Sequence, residues 1–213
     1  MVRVVLRAAY HEALDALNAD LSRLGALLVD ATKCAVSALR NQDVALAARV
    51  VAGVDAAEDI RRSVDAKCIE LLWRQQPVAG ELREVAAMTE IATDASRINF
   101  YTGEIAKSAI RIAGLSAFPA RPEVLSLAED VIATLSRSID AYRARDGANA
   151  DRVVEGTATI DDRYDAALDA LQAAMESDAK LVHPGTTVIF LITALQRIAE
   201  HAANIAWHTK DML

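Results

Sequence analysis

"RINFYTGEIA" (residues 97–106) and "RIAEHAANIA" (197–206) lie one hundred positions apart and share their arginine, two isoleucines and final alanine. Ile98 and Ile105 are seven positions apart, as are Ile198 and Ile205, so in a helix each pair occupies one face. The apolar frame recurs while the polar residues between its members change. A second match runs in the same order: "DVALAARVVAG" at 43–53 aligns without a gap on "DGANADRVVEG" at 146–156, a register of 103 residues. Two collinear matches predict an internal duplication, which is best tested before any single motif.

The units are helical. Apolar content is 53%, dominated by alanine, leucine and valine, and alanine has the highest helix propensity at no cost in side-chain entropy. Leu17, Leu21, Leu24, Leu28, Ala31, Ala35 and Leu39 alternate steps of three and four, which predicts a helix from about 8 to 39. Asn41 and Asp43 offer caps, and Val50, Val54, Ala57, Val64, Cys68 and Leu71 continue as a second stripe to about Gln76. Pro77 suits the first turn of a third helix over 78–113. "GLSAFPARPE" at 114–123 is a linker, followed by expected helices at about 123–145, 148–178 and 187–211. The expected fold is all-α, a duplicated pair of three-helix bundles built from six long helices: residues 1–115, a linker at 116–122, and residues 123–213.

The formal charge of −7 argues against nucleic acid and against anionic membrane surfaces. Two cysteines, Cys34 and Cys68, with no C-x-x-C, speak against a disulfide framework or zinc ribbon and fit a reducing cytoplasm. "TTVIFLITAL" at 186–195 is about half the roughly 20 residues needed to cross a bilayer, so a soluble protein is expected. No signal peptide is read at the start.

"LLWRQQPVAGELREV" (71–85), "TDASRINFYTGEIA" (93–106) and "LQRIAEHAANIAWH" (195–208) together resemble the PhoU family of phosphate-signalling proteins, over nearly the whole chain. The resemblance implies two three-helix bundles side by side and a cytoplasmic, non-enzymatic regulator that represses the phosphate-starvation response. The implied partners are a phosphate ABC transporter, through its ATPase, and a sensor histidine kinase. A homodimer is also implied, without direct membrane insertion. The exposed acidic helix faces are the expected contact surfaces.

The family's arginine motif reads approximately D-L-E-R-I-G-D-x-A-x-N-I-A, and its acids can bind multinuclear metal clusters. Residues four apart lie on one helix face and can present oxygen ligands in a stripe. In the first copy Asp94 and Arg97 remain, but Ser96, Phe100 and Glu104 stand where the family has Glu, Asp and Asn. The second copy has Gln196, Glu200 and Asn204. Partner-helix acids that correspond best are Glu58 and Asp162, with Asp165 as a helper. The candidate metal set is therefore Asp161, Asp162, Asp165, Glu200 and Asn204 in the second half, with Glu58 and Asp94 as a weaker set in the first. A divalent ion, iron, zinc or manganese, is the candidate cofactor. His201 and His208 are seven apart, roughly 10.5 Å along a helix, and are not expected to share one metal.

Plainer readings stand beside these. Acidic stripes are usually solvated faces, and Arg97 and Arg197 are expected to pair with acids on neighbouring helices rather than capture phosphate. Cys34 and Cys68 sit in apolar stripes as inert thiols, Trp73 and Trp207 finish the bundle near helix ends, and His11 and His183 are surface groups. No nucleotide-binding glycine motif and no G-x-S-x-G elbow occurs. A carboxylate-bridged metalloenzyme is the rival class, but such sites combine glutamates with Glu-x-x-His, which is missing. A structural dimerising bundle that has lost phosphate signalling is the third reading.

Overall fold

The computed structural model describes residues 2–113 and 122–213, with side chains described from residue 9 onward. The expected linker at 116–122 falls almost wholly outside the described residues. Among the described residues there is no strand. The helices are α1 (Val2–Asn41), α2 (Val44–Gln75), α3 (Gly80–Ala113), α4 (Pro122–Ala144), α5 (Gly147–Glu155), α6 (Thr157–Ser177) and α7 (Val182–Asp211). These make six long helices, the fifth being α5 and α6 broken at Gly156. The backbone at that glycine leaves a side chain little room, since a Cβ would lie 3.2 Å from the Arg152 carbonyl oxygen.

The second sequence match is a pair of equivalent turns. Gln42 and Arg145 both adopt left-handed backbone, with φ of 54° and 51°. The next N–H reaches back in each, Asp43 to the Ala38 carbonyl and Asp146 to the Ala141 carbonyl, both at 2.9 Å. That backbone bond, together with the left-handed residue before it, is the signature of a Schellman stop. Asp43 Oδ1 then accepts from the Leu46 N–H at 2.9 Å and Asp146 Oδ1 from the Asn149 N–H at 3.0 Å, capping the following helices. The matching aspartates therefore do the same work 103 residues apart.

Prolines act differently from expectation at two places. Pro77 lies in the loop before α3, between Gln76 and Ala79, which both have positive φ. The last helix begins at Val182, not 187, because Pro184 falls in its first turn, where no backbone N–H is required. Pro122 opens α4 as expected of a first helical residue.

α3 and α7 form the centre. Helix α3 packs on α1, α2 and α7, and α7 packs on α3, α4, α5 and α6. Ile98, Ile105, Ile192, Leu195, Ile198 and Ile205 are fully buried between them and the outer helices. The first unit also touches the second through α1 and α4, where Gly25 meets Ile139: a Cβ on Gly25 would lie 2.8 Å from two Ile139 atoms. The segment Ala179–Asp211 is long and apolar enough to cross a membrane by length and composition, more than the ten-residue run suggested. Its buried face packs on α3, α4, α5 and α6, while Val182, Ile189 and Phe190 stay exposed.

Tyr10 and Tyr142 tie the ends of the units. Tyr142 Oη donates to Asn18 Oδ1 at 2.7 Å, and Tyr10 Oη donates to the Glu81 carbonyl oxygen at 3.3 Å. Burial, then the charges of Glu81 and Glu84, push the Tyr10 phenol from 10.0 to about 12. Burial pushes Tyr142 up as well, against the opposing charge of Arg145. Between pH 10 and 12 the folded chain keeps protons that the unfolded chain releases, so stability falls as pH rises through that window. Absorbance titration near the phenolate band should show part of the tyrosine signal delayed until the chain unfolds; a complete titration of all four tyrosines in the native state would contradict these burials.

Candidate functional site

The polar residues of the two repeats converge on seams between antiparallel helices. In the first unit, Ser96 Oγ on α3 donates to Glu58 Oε2 on α2 at 3.0 Å. In the second, Gln196 Nε2 on α7 donates to Asp161 Oδ1 on α6 at 3.1 Å. Glu58 and Asp161 are 103 apart and Ser96 and Gln196 are one hundred apart, so these are the same pair seen twice. Asp161, not Asp162, is thus the counterpart of Glu58. One residue is a rotation of about 100° on a helix, and Asp162 is exposed on another face.

In the first unit the acids are dispersed. Glu58 Oε1 accepts from Arg61 Nε at 2.7 Å, and the other end of that guanidinium pairs with Asp65. These charged hydrogen bonds outweigh desolvation, the largest single influence, and leave the Arg61 pKa raised. Phe100 is 54% exposed and Glu104 binds Lys107 at 2.7 Å. Asp94, two positions before Ser96, points to the opposite side and does not join Glu58.

In the second unit Thr157, Ile160, Asp161, Gln196, Glu200 and Asn204 line a groove of about 250 Å³. Asp161, Glu200 and Asn204 are therefore brought together as the sequence suggested. Asp162 and Asp165 are exposed and lie outside the lining. Glu200 accepts from Arg197 at 2.6 Å within α7, so Arg197 pairs on its own helix rather than with a neighbour. The donor set fits a multinuclear cluster poorly: only two carboxylates, each already paired within the chain, and amide carbonyls that bring no charge. Among the described residues no group of three or more His, Cys, Asp or Glu side chains is disposed to hold a metal ion.

Asp94 instead joins the two repeats. Its Oδ1 lies 2.8 Å from His201 Nδ1 and accepts from Asn204 Nδ2 at 3.2 Å, while Oδ2 lies 3.6 Å from His208 Nε2. Both histidines thus reach one carboxylate from positions about two turns apart on α7. Tyr101 stacks on His201 with ring centroids 6.0 Å apart. These two residues are also one hundred positions apart, so equivalent positions of the two repeats meet at this seam. Asn204, read from the sequence as a metal ligand, is a donor to Asp94. The roles of Arg61, His201 and His208 escaped sequence reading. Arg61 had a usable signal, three positions after Glu58 and four before Asp65; the histidines had none, because their partner lies on another helix.

Other groups are simpler. Burial pushes the Cys68 thiol up, away from reactive thiolate, against a weaker lowering by its hydrogen bond to Thr89. His11 and His183 are exposed, as expected. Trp73 and Trp207, expected to finish the bundle, are 77% and 55% exposed, and Phe190 is 73% exposed.

The PhoU domain model matches residues 21–109 and again 124–208. The chain is 30% identical over 203 residues to the phosphate-specific transport system accessory protein PhoU homolog of Rhizobium meliloti, covering 94% of this chain and 85% of that protein. It is 28% identical over 198 residues to the homolog of the same name in Pseudomonas aeruginosa, covering 92% and 82%. The crystal structure of PhoU from Pseudomonas aeruginosa superposes with a TM-score of 0.91 at 27% identity, over 95% of this chain and 98% of that one. A family model that fits both halves of the sequence, one repeat at a time, agrees with the paired turns and paired seams, and the chain belongs to the PhoU family.

Proposed function

We propose that the chain is a cytoplasmic regulator of phosphate uptake and phosphate-starvation signalling, an adaptor between the ATPase of a phosphate ABC transporter and a sensor histidine kinase, exerting negative control. The observation that carries this reading is the family match over both repeats, whose relatives are named as accessory proteins of phosphate-specific transport. The working unit is a homodimer of two-repeat chains, with repeats at 1–115 and 123–213 joined by 116–122. It is not an enzyme. Its exposed large apolar residues, Trp73, Phe100, Phe190 and Trp207 among them, supply contact surface of a kind that solvated acidic faces lack. Control is exerted through differential affinity: the adaptor biases a two-state kinase or transporter by binding one state more tightly.

Deleting the gene in its own host should raise phosphate-responsive transcription in phosphate-replete medium, and the intact gene should restore repression. Phe100→Ala with Phe190→Ala should fold as the parent does yet restore repression poorly. Unchanged transcription after deletion would favour a structural bundle with no part in phosphate signalling.

A further inference from the structure

The acids along the α2/α3 seam hold a cation of the chain's own. Arg61 lies between Glu58, one turn before it, and Asp65, one turn after it, and pairs with both. Its side chain is only 20% exposed. The remaining Glu58 oxygen accepts from Ser96 on α3. Of the four carboxylate oxygens in this cluster, Asp65 Oδ1 alone is buried without a hydrogen-bond partner. A metal ion needs those oxygens free, and a single unpartnered oxygen is too few for the several ligands that hard divalent cations take.

The second unit balances its charge by another route. The positions equivalent to Arg61 and Asp65, 103 residues on, are Tyr164 and Leu168. One acid of the pair has therefore gone together with the arginine, and the remaining acid, Asp161, is exposed and accepts from the neutral amide of Gln196. At these equivalent positions α2 carries two acids with a guanidinium, and α6 one acid with an amide from α7.

We propose that Arg61 is the resident counter-ion of the first repeat, filling the role for which the family's motif recruits metal, and that folding of this chain is independent of bound metal. Arg61 serves here as a fixed positive charge, pinning two turns of α2 and, through Glu58 and Ser96, fastening α2 to α3.

The test uses the full chain purified without a metal-affinity tag. Elemental mass spectrometry should find iron, zinc and manganese far below one equivalent, and a chelator should leave the melting temperature unchanged. Arg61→Ala should lower the melting temperature by a few degrees, and added manganese or zinc should raise it again in that variant but not in the parent. Removing the acids as well, in Arg61→Ala/Glu58→Gln/Asp65→Asn, should also recover the loss. Near-stoichiometric metal in the parent, or a melting temperature that falls on chelation, overturns the proposal. So does an Arg61→Ala loss that neither metal nor acid removal recovers, because that would assign Arg61 to packing. Should Arg61→Ala fail to fold, Arg61→Lys, which keeps the charge, should fold without metal; its failure to do so would equally reject the counter-ion role.

Discussion

Ile98→Ala and Ile198→Ala are each expected to cost about 2–5 kcal/mol of folding stability, whereas Arg97→Ala and Arg197→Ala should stay within roughly 0.5 kcal/mol. Both isoleucines are fully buried, at 0% exposure, in the two central helices. Truncating either removes a side chain on which several helices close, and rigid neighbours fill the cavity only in part. Arg97 is exposed, and the Arg197–Glu200 pair is 50% and 43% exposed, so solvent screens most of its Coulomb energy. Denaturant titration with constant slope for all four variants would measure this directly. A loss at either arginine comparable to that at its neighbouring isoleucine would show that the motif is kept for its charge. The expected pattern says that the shared part of the two sequences is retained for packing, while the intervening residues were free to diverge.

Asp94→Ala should cost roughly 3 kcal/mol, because it removes the shared hydrogen-bond partner of two α7 side chains, with a third close by, at a position only 7% exposed. His201 and Asn204 would lose hydrogen-bond partners and His208 its nearby carboxylate, inside the contact that joins the repeats. Asp94→Asn should cost less, since its carbonyl oxygen still accepts from one of them. The decisive measurement is a double-mutant cycle with His201→Ala. Losses that overlap by more than about 0.5 kcal/mol demonstrate coupling across the seam, and strict additivity would reject it. Hydrogen exchange should quicken in α3 and α7 together in Asp94→Ala, because the seam is shared by both.

Much of the architecture was legible along the chain. The three-and-four spacing of leucines in α1 identified its buried face, and the aspartates at 43 and 146 marked equivalent helix starts. The break at Gly156 and the early start of α7 were less legible, because a glycine is tolerated within a helix and a proline within its first turn. The site was legible in part. Asp161, Glu200 and Asn204 do share one groove, yet Asp162 and Asp165 do not, and Glu58 and Asp94 face different neighbours. Sequence spacing tells which residues share a face of their own helix.

The sequence by itself determined that this chain is all helical, where its buried stripes run, and that its second half repeats its first. Local propensity, capping and periodicity are properties of neighbouring residues, so they can be read in order. Only the tertiary structure decided that Ser96 takes the remaining oxygen of Glu58, that Gln196 donates to Asp161, and that Asp94 answers to two histidines more than one hundred positions away. A polar side chain's role depends on what faces it across a helix seam. A slip of one residue there turns the group by about 100°, a choice made by packing and not by spacing.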